Sequence, residues 1–345
     1  MLTETRLLAV LLLLAVLPGC AGVRYVSQAA HGQWQLMRAR QPIDKVIADP
    51  TSSEALKARL QLVKDARTFA VTDLKLPDNK SYRSYSDLKR PFVVWNVVAT
   101  PEFSVTPLQW CFPFVGCLSY RGYFHEKDAR QLASVLAGQG NDTLVAGITA
   151  YSTLGHFADP VLNTMLRYGD EDMVGTVFHE LAHQLIYVKG DTQFNESFAM
   201  TVEEEGLQRY LNARGRPQAF DAIVTRHRQE QSIVNAFGAG RQQLALLYAE
   251  PLAADEIRAQ KQKILQATGD RVLALEQKYR LPLYDLWIEH GLNNAHLASI
   301  GTYYDCVPGF RKLLADDRED LSTFYAAVRR IGRNSQARRA LCSVK

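Results

Sequence analysis

An α+β fold is what the sequence predicts, with a small N-terminal sheet layer packed on a mainly helical domain whose C-terminal half is helix almost throughout. Two observations carry this. The clearest strand candidates, the β-branched and aromatic runs PFVVWNVVAT and TLVAGITAYS, both lie in the first half of the chain. From Asp170 onward apolar residues instead recur at i, i+3 and i+4, the period of a helix that buries one face. The composition, 47% hydrophobic and 22% charged over 345 residues, is that of an ordinary folded protein. Residues 20–345 are expected to form one domain.

The first twenty residues, MLTETRLLAVLLLLAVLPGC, are not expected to belong to the fold. Arg6 gives a weakly basic start, and Leu7 to Leu17 form an apolar run of signal-peptide length, too short to span a bilayer comfortably. Leu17-Pro18-Gly19-Cys20 resembles a bacterial lipoprotein box. That resemblance implies removal of residues 1–19 as a signal peptide and acylation of Cys20. Because Ala21 rather than Asp follows, it also implies anchoring to the outer membrane, facing the periplasm. A plain cleaved signal or an uncleaved anchor is the alternative. Removing residues 1–19 takes away Glu4 and Arg6, so the net charge stays at +4, too mild to point to nucleic acid.

Export makes the cysteines informative. Cys111, Cys117, Cys306 and Cys342 permit three pairings in an oxidising compartment. Cys111–Cys117 with Cys306–Cys342 is favoured, because each pair closes a loop within one region. No C-x-x-C spacing favours a metal at these cysteines.

In chain order, residues 21–77 read as helical, with Thr51 and Glu54 forming a capping box before ALKARLQLVKDARTFAVTDL. The loop PDNKSYRSYSD leads to the strand PFVVWNVVAT. Extended segments then surround a tight Cys111–Cys117 loop, and EKDARQLASVLAG reads as a helix. TLVAGITAYS is either an ordinary core strand or an edge on which an extended ligand can be laid. Residues 170–210 read as a helix pair, and 218–279 as a charged helical hairpin whose charges form a solvated face.

The helix pair contains VFHELAHQLIYVKGDTQFNESFAM. Val174, Val177, Phe178, Leu181, Ala182, Leu185 and Ile186 form its apolar stripe. Asp170, Glu171 and Asp172 crowd the N-terminal turn, where the helix dipole favours acids, and Lys189 and Gly190 mark the other end. His179 and His183 lie one turn apart, so their imidazoles can converge on one ion. Glu180 faces the adjoining side. By itself this HExxH pattern is cheap, and a solvated helix face bearing two histidines is the bland reading. The following turn at Gly190-Asp191 changes that, because His183 and Glu196 straddle it nearly evenly and can meet across a helical hairpin. Two His and one Glu would hold zinc and leave a position open for water. His125, His156, His227, His290 and His296 have no partner at ligand spacing and read as surface or core residues. Glu204 and Glu205 lie two turns beyond Glu196, about 12 Å along the helix, and are expected to face solvent or substrate.

NESFAMTVE resembles the NExFAxxxE segment of the gluzincin metallopeptidases, particularly the aminopeptidase branch. The whole chain from about residue 20 is similar to a bacterial family of aminopeptidase lipoproteins. The resemblance implies Zn²⁺ held by His179, His183 and Glu196, with Glu203 supporting the metal shell and Glu180 as general base. It departs from the gluzincin pattern in having 12 residues between His183 and Glu196, where those families have about 18. Gluzincins commonly use a Tyr or His on the oxyanion, and in GTYYDCVPGF Tyr303 is chosen over Tyr304. The implied partner is a peptide substrate. Two other classes remain: a zinc-holding envelope scaffold without activity, and a metalloendopeptidase or cell-wall peptide amidase. The intact Glu180 argues against the scaffold, which has no use for a base beside its metal.

Overall fold

The structure is a computed structural model that describes residues 19–112, 116–150, 153, 155, 157–300 and 306–344. It is α+β and mainly helical, as the sequence predicts. The chain runs through α1 (Gly19–Arg38), β1 (Gln41–Pro42), α2 (Ile43–Ala48) and α3 (Glu54–Thr72). Helix α3 is capped by Ser53, whose hydroxyl accepts from the Leu56 N–H. Thr51, the expected cap, sits two residues too early and donates to Asp49 instead. An N-cap must directly precede the first helical residue to reach the unpaired N–H groups of the first turn.

The strands are β2 (Ser84–Ser86), β3 (Val94–Pro101), β4 (Trp110–Phe112), β5 (Gly116–Leu118) and β6 (Arg121–Tyr123). Helix α4 (Glu126–Gly138) then leads to β7 (Asn141–Ile148) and β8 (Val161–Leu162). β3 lies between β6 and β7, antiparallel to both, in a register running from Val94 opposite Ile148 to Pro101 opposite Asn141. β7 is therefore an edge strand. Trp95 and Val97 pack with Ala129 and Ala133 of α4, while Val98 and Leu144 pack with Ala295. Burial on both faces explains why this strand reads as a continuous apolar run without clean alternation. β4 and β5 form a hairpin closed by the Cys111–Cys117 disulfide.

Helices follow: α5 (Asp170–Leu185), α6 (Thr192–Ala213), α7 (Pro217–Leu247), α8 (Ala254–Tyr279), α9 (Asp285–Glu289), α10 (Asn294–Ser299), α11 (Val307–Asp316), α12 (Leu321–Gly332) and α13 (Ser335–Cys342). The main core joins α3, α5, α6, α11 and α12 around Phe178, Phe194, Phe198, Phe310 and Phe324, all fully buried. Such rings remove a large apolar area from water, and the edge-to-face contact of Phe194 with Phe310 at 5.0 Å adds to it. Cys306 and Cys342 are bonded, tying the start of α11 to the end of α13. A second core lies inside the hairpin of α7 and α8, where Ile233, Phe237 and Leu244 cluster with Leu265 and Val272.

Candidate metal centre

The site is built on the hairpin of α5 and α6. Helix α5 ends at Leu185, where Ile186 turns extended, and the chain reverses through Gly190, whose φ of 78° suits a residue without Cβ. Asp191 caps α6 by accepting from the Phe194 N–H. Asn195 fastens the connection: its amide donates to the Val188 carbonyl at 2.8 Å and its Oδ1 accepts from the Val188 N–H at 2.7 Å. Two glycines let the helices approach. A Cβ on Gly175 would lie 2.7 Å from Glu203 Oε1, and one on Gly206 would lie 2.7 Å from the Phe178 ring.

This packing brings His179, His183 and Glu196 together, with one ligand atom from each lying within 4.8 Å of the others, so the group could hold a metal ion. The two Nε2 atoms are 3.1 Å apart, and Glu196 Oε2 lies 3.3 Å from that of His179 and 3.6 Å from that of His183. The ligand–ligand edges of a tetrahedral zinc site are about 3.3 Å for Zn–N bonds of about 2.0–2.1 Å. The donor set fits. Three acceptor lone pairs converge in a largely buried place, and only a proton or a cation can relieve their repulsion. Glu203 Oε2 lies 3.0 Å from His179 Nδ1. A carboxylate there accepts Nδ1–H and leaves Nε2 free to face the cluster.

The electrostatics follow from this crowding. Burial alone would raise the Glu196 carboxyl, but its hydrogen bonds to His179 and His183 outweigh burial and hold it at about 2. Burial opposes charge on His179, yet Glu196 and Glu203 together raise it well above the usual imidazole value. Glu180 stands outside the ligand cluster. Burial raises its carboxyl, an effect that His179 and His183 partly offset. It lines a cavity of about 300 Å³ with His179, Met200 and the end of the β7 segment at Ile148, Thr149 and Ala150.

Two expectations need correction. Glu204 is only 9% exposed: its carboxylate bonds Arg311 at 2.5 and 3.0 Å and faces His227 at 3.4 Å. Glu205 accepts from Arg209 Nε at 2.5 Å and is also largely covered. Helix α6 packs against α3, α5, α7 and α11, so it has little outward face to offer these acids. Tyr303, Tyr304 and His156 lie outside the described residues.

Tyr120 and Tyr187 were not anticipated here. Tyr120 keeps 37% of its surface exposed, yet desolvation on its covered side, followed by the nearby Glu196, Tyr187, Tyr25 and Glu180, pushes its phenol up to about 12. Tyr187 is likewise raised, by burial and then by Glu196. Their only sequence signal is position, Tyr187 four residues after His183 and Tyr120 three after Cys117.

No curated protein and no solved structure matches the chain. A family model described as "Putative aminopeptidase" matches residues 24–342. That span takes in the sheet, the helix pair and the His179–His183–Glu196 group, and the chain belongs to this aminopeptidase family, whose activity implies a peptide substrate.

Proposed function

We propose that the chain is a zinc-dependent aminopeptidase of gluzincin type. The observation that carries the reading is the near-tetrahedral triangle of His179, His183 and Glu196 with Glu180 beside it at the cavity wall. Bound there, zinc supplies Lewis acidity for the scissile carbonyl and for an attacking water. Glu180, its carboxyl raised by burial, takes the proton of that water and delivers it to the leaving amine. Glu203 orients His179. The gluzincin resemblance assigns the oxyanion hydrogen bond to Tyr303, and Tyr120 supports the same chemistry from the other side of the sequence. A phenol keeps its proton at neutral pH, as such a donor must.

The reading places the protein in the bacterial envelope, with residues 1–19 removed and Cys20 acylated at the outer membrane. The two disulfides suit an oxidising periplasm. No helix among the described residues is long and apolar enough to cross a membrane; the proposed attachment rests on acyl chains at Cys20.

The purified protein is expected to hold about one zinc per chain. Glu180→Gln keeps that zinc while hydrolysis falls by about 10²–10⁴-fold, and Glu196→Ala loses the zinc. Full hydrolysis by the first variant removes the general base, and normal zinc in the second moves the third ligand elsewhere. A peptide and its N-acetylated twin test the aminopeptidase assignment by mass spectrometry. Internal cleavage of both at equal rate would make the protein an endopeptidase.

A further inference from the structure

A second cavity, of about 290 Å³, opens beyond the metal-ligand cluster. Its walls are Leu185, Ile186, Tyr187 and Val188, which follow α5, and Arg329 and Arg333 at the end of α12. The two cavities flank His183 along one stretch of chain, the first reached by Glu180 and the second by Tyr187. Five residues of helical rise to Leu185 and two extended residues beyond it separate these two, at most about 14 Å, the length of about four extended residues. Tyr187 joins the places physically, since it lines the second cavity and feels the Glu196 carboxylate.

The cavities differ in charge. The first carries the carboxylates of Glu180 and Glu203. The second carries two guanidiniums and no acid. From Leu321 to Lys345 the sequence has no acidic residue at all. Among the described residues neither Arg329 nor Arg333 has an ion-pair partner, whereas Arg209, Arg226, Arg311 and Arg338 each meet a carboxylate. The C-terminal end of α12 favours cations through the helix dipole, which accounts for their place on the helix. It does not account for two guanidiniums one turn apart over a cavity floored by Leu185, Ile186 and Val188. Both arginines are exposed, so solvent screens their repulsion and a carboxylate can reach both forks. An apolar floor also strengthens any charge pair formed there.

We propose that Arg329 and Arg333 form a carboxylate-binding subsite, and that the substrates are short peptides whose acidic end lies there while their amine end lies at the Glu180 side. This deepens the peptidase reading and rests on it. A free short peptide is an ammonium and a carboxylate held apart by a few residues, and the two cavities present the opposite charges at that spacing. Arginine suits the role because its planar fork meets a carboxylate with two parallel hydrogen bonds. The carboxylate can be the peptide's own C-terminus or an Asp or Glu side chain near it.

Binding separates these sources without requiring turnover. Zinc-loaded Glu180→Gln protein is titrated calorimetrically with Ala-Ala-Ala, with Ala-Ala-Ala amide and with Ala-Ala-Glu amide. The free acid is expected to bind about tenfold more tightly than its amide, and in Arg329→Gln/Arg333→Gln that preference falls to about twofold or less. Strong binding of Ala-Ala-Glu amide, lost in the same double variant, assigns the subsite to an acidic side chain. Equal binding of acid and amide by the parent, or a preference that survives the double substitution, overturns the proposal. Hydrolysis of Ala-Ala-Ala by the unsubstituted protein is followed separately. Carboxylate-dependent binding without hydrolysis would sink the peptidase reading and leave the subsite standing.

Discussion

Two helical hairpins dominate the second half of the chain, and both bury polar groups, yet they do so in different ways. In the hairpin of α7 and α8, Lys261 is 5% exposed and donates to the Glu102 carbonyl at 2.9 Å and to Asp142 at 2.7 Å. Thr268 donates to the Ile264 carbonyl, and one oxygen of Glu276 accepts the N–H groups of Leu283 and Tyr284. In these bonds donors meet acceptors, although the second Glu276 oxygen is buried without a partner among the described residues. Lys261 ties the hairpin to β7 and to the loop after β3. In the hairpin of α5 and α6, acceptors meet acceptors: two imidazole Nε2 atoms and a carboxylate oxygen face one another. The buried Nδ1 of His183 has no partner among the described residues. Burial of polar groups is thus no sign of a site. A buried set that only a proton or a metal cation can complete is one, because leaving it incomplete costs free energy that the fold does not recover.

The contrast can be tested from its structural side first, where the effect is largest. Lys261→Met removes one half of a buried pair and should lower stability by about 3 kcal/mol, while zinc content stays at that of the parent. Chemical denaturation and elemental analysis on the same preparation check both halves. Loss of zinc there would show that the two hairpins are coupled and the contrast false. The next effect sharpens the functional side. Gly175→Ala places a Cβ against Glu203 and so displaces the carboxylate that orients His179. Zinc affinity is expected to fall by about 10–100-fold with little change in helix content, as read by chelator competition and circular dichroism. Unaltered affinity would mean that Glu203 does not hold the imidazole.

The smallest effect concerns His227 and Glu204, the latter on α6 and also held by Arg311. Burial opposes charge on His227, but Glu204 and its acidic neighbours raise it above 6.5. Its contribution is complete below 6.5 and disappears as pH rises through the folded value. Burial opposes charge on Glu204 as well, but His227 and Arg311 hold it below 4.5, so its share is present above 4.5 and lost as pH falls through the folded value. His227→Gln should therefore lower the melting temperature more at about pH 5.5 than at about pH 9, toward which the charge on the parent histidine is lost. An equal loss at both pH values would assign His227 a packing role alone.

Helices were legible wherever their signals were local. EKDARQLASVLAG is α4 residue for residue. The apolar pattern of α5, by contrast, runs on through Ile186 toward an expected end at Lys189 and Gly190, and the helix stops at Leu185, where Ile186 turns extended. The expectation for Glu204 failed because α6 carries apolar residues around most of its circumference, so no polar face could be told from a buried one. The choice left open for TLVAGITAYS needed the sheet itself, since an edge and a core strand with both faces covered read alike.

By itself the sequence determined the helical half and the convergence of His179 and His183, and it favoured, among three possible pairings, the two disulfides that the structure forms. The helix repeat places i and i+4 on one face whatever surrounds it. Glu196 belongs to this group because a short turn leaves a hairpin little freedom of register. The tertiary structure alone decided that Gly175 would make room for Glu203, that Glu204 would be enclosed, and that Tyr120 would stand near Glu196 and Arg333 near Tyr187. The paired residues among these lie from 28 to 146 positions apart in the chain. No local periodicity links them; their meeting depends on which faces the surrounding helices cover, and that is settled only when the whole core packs.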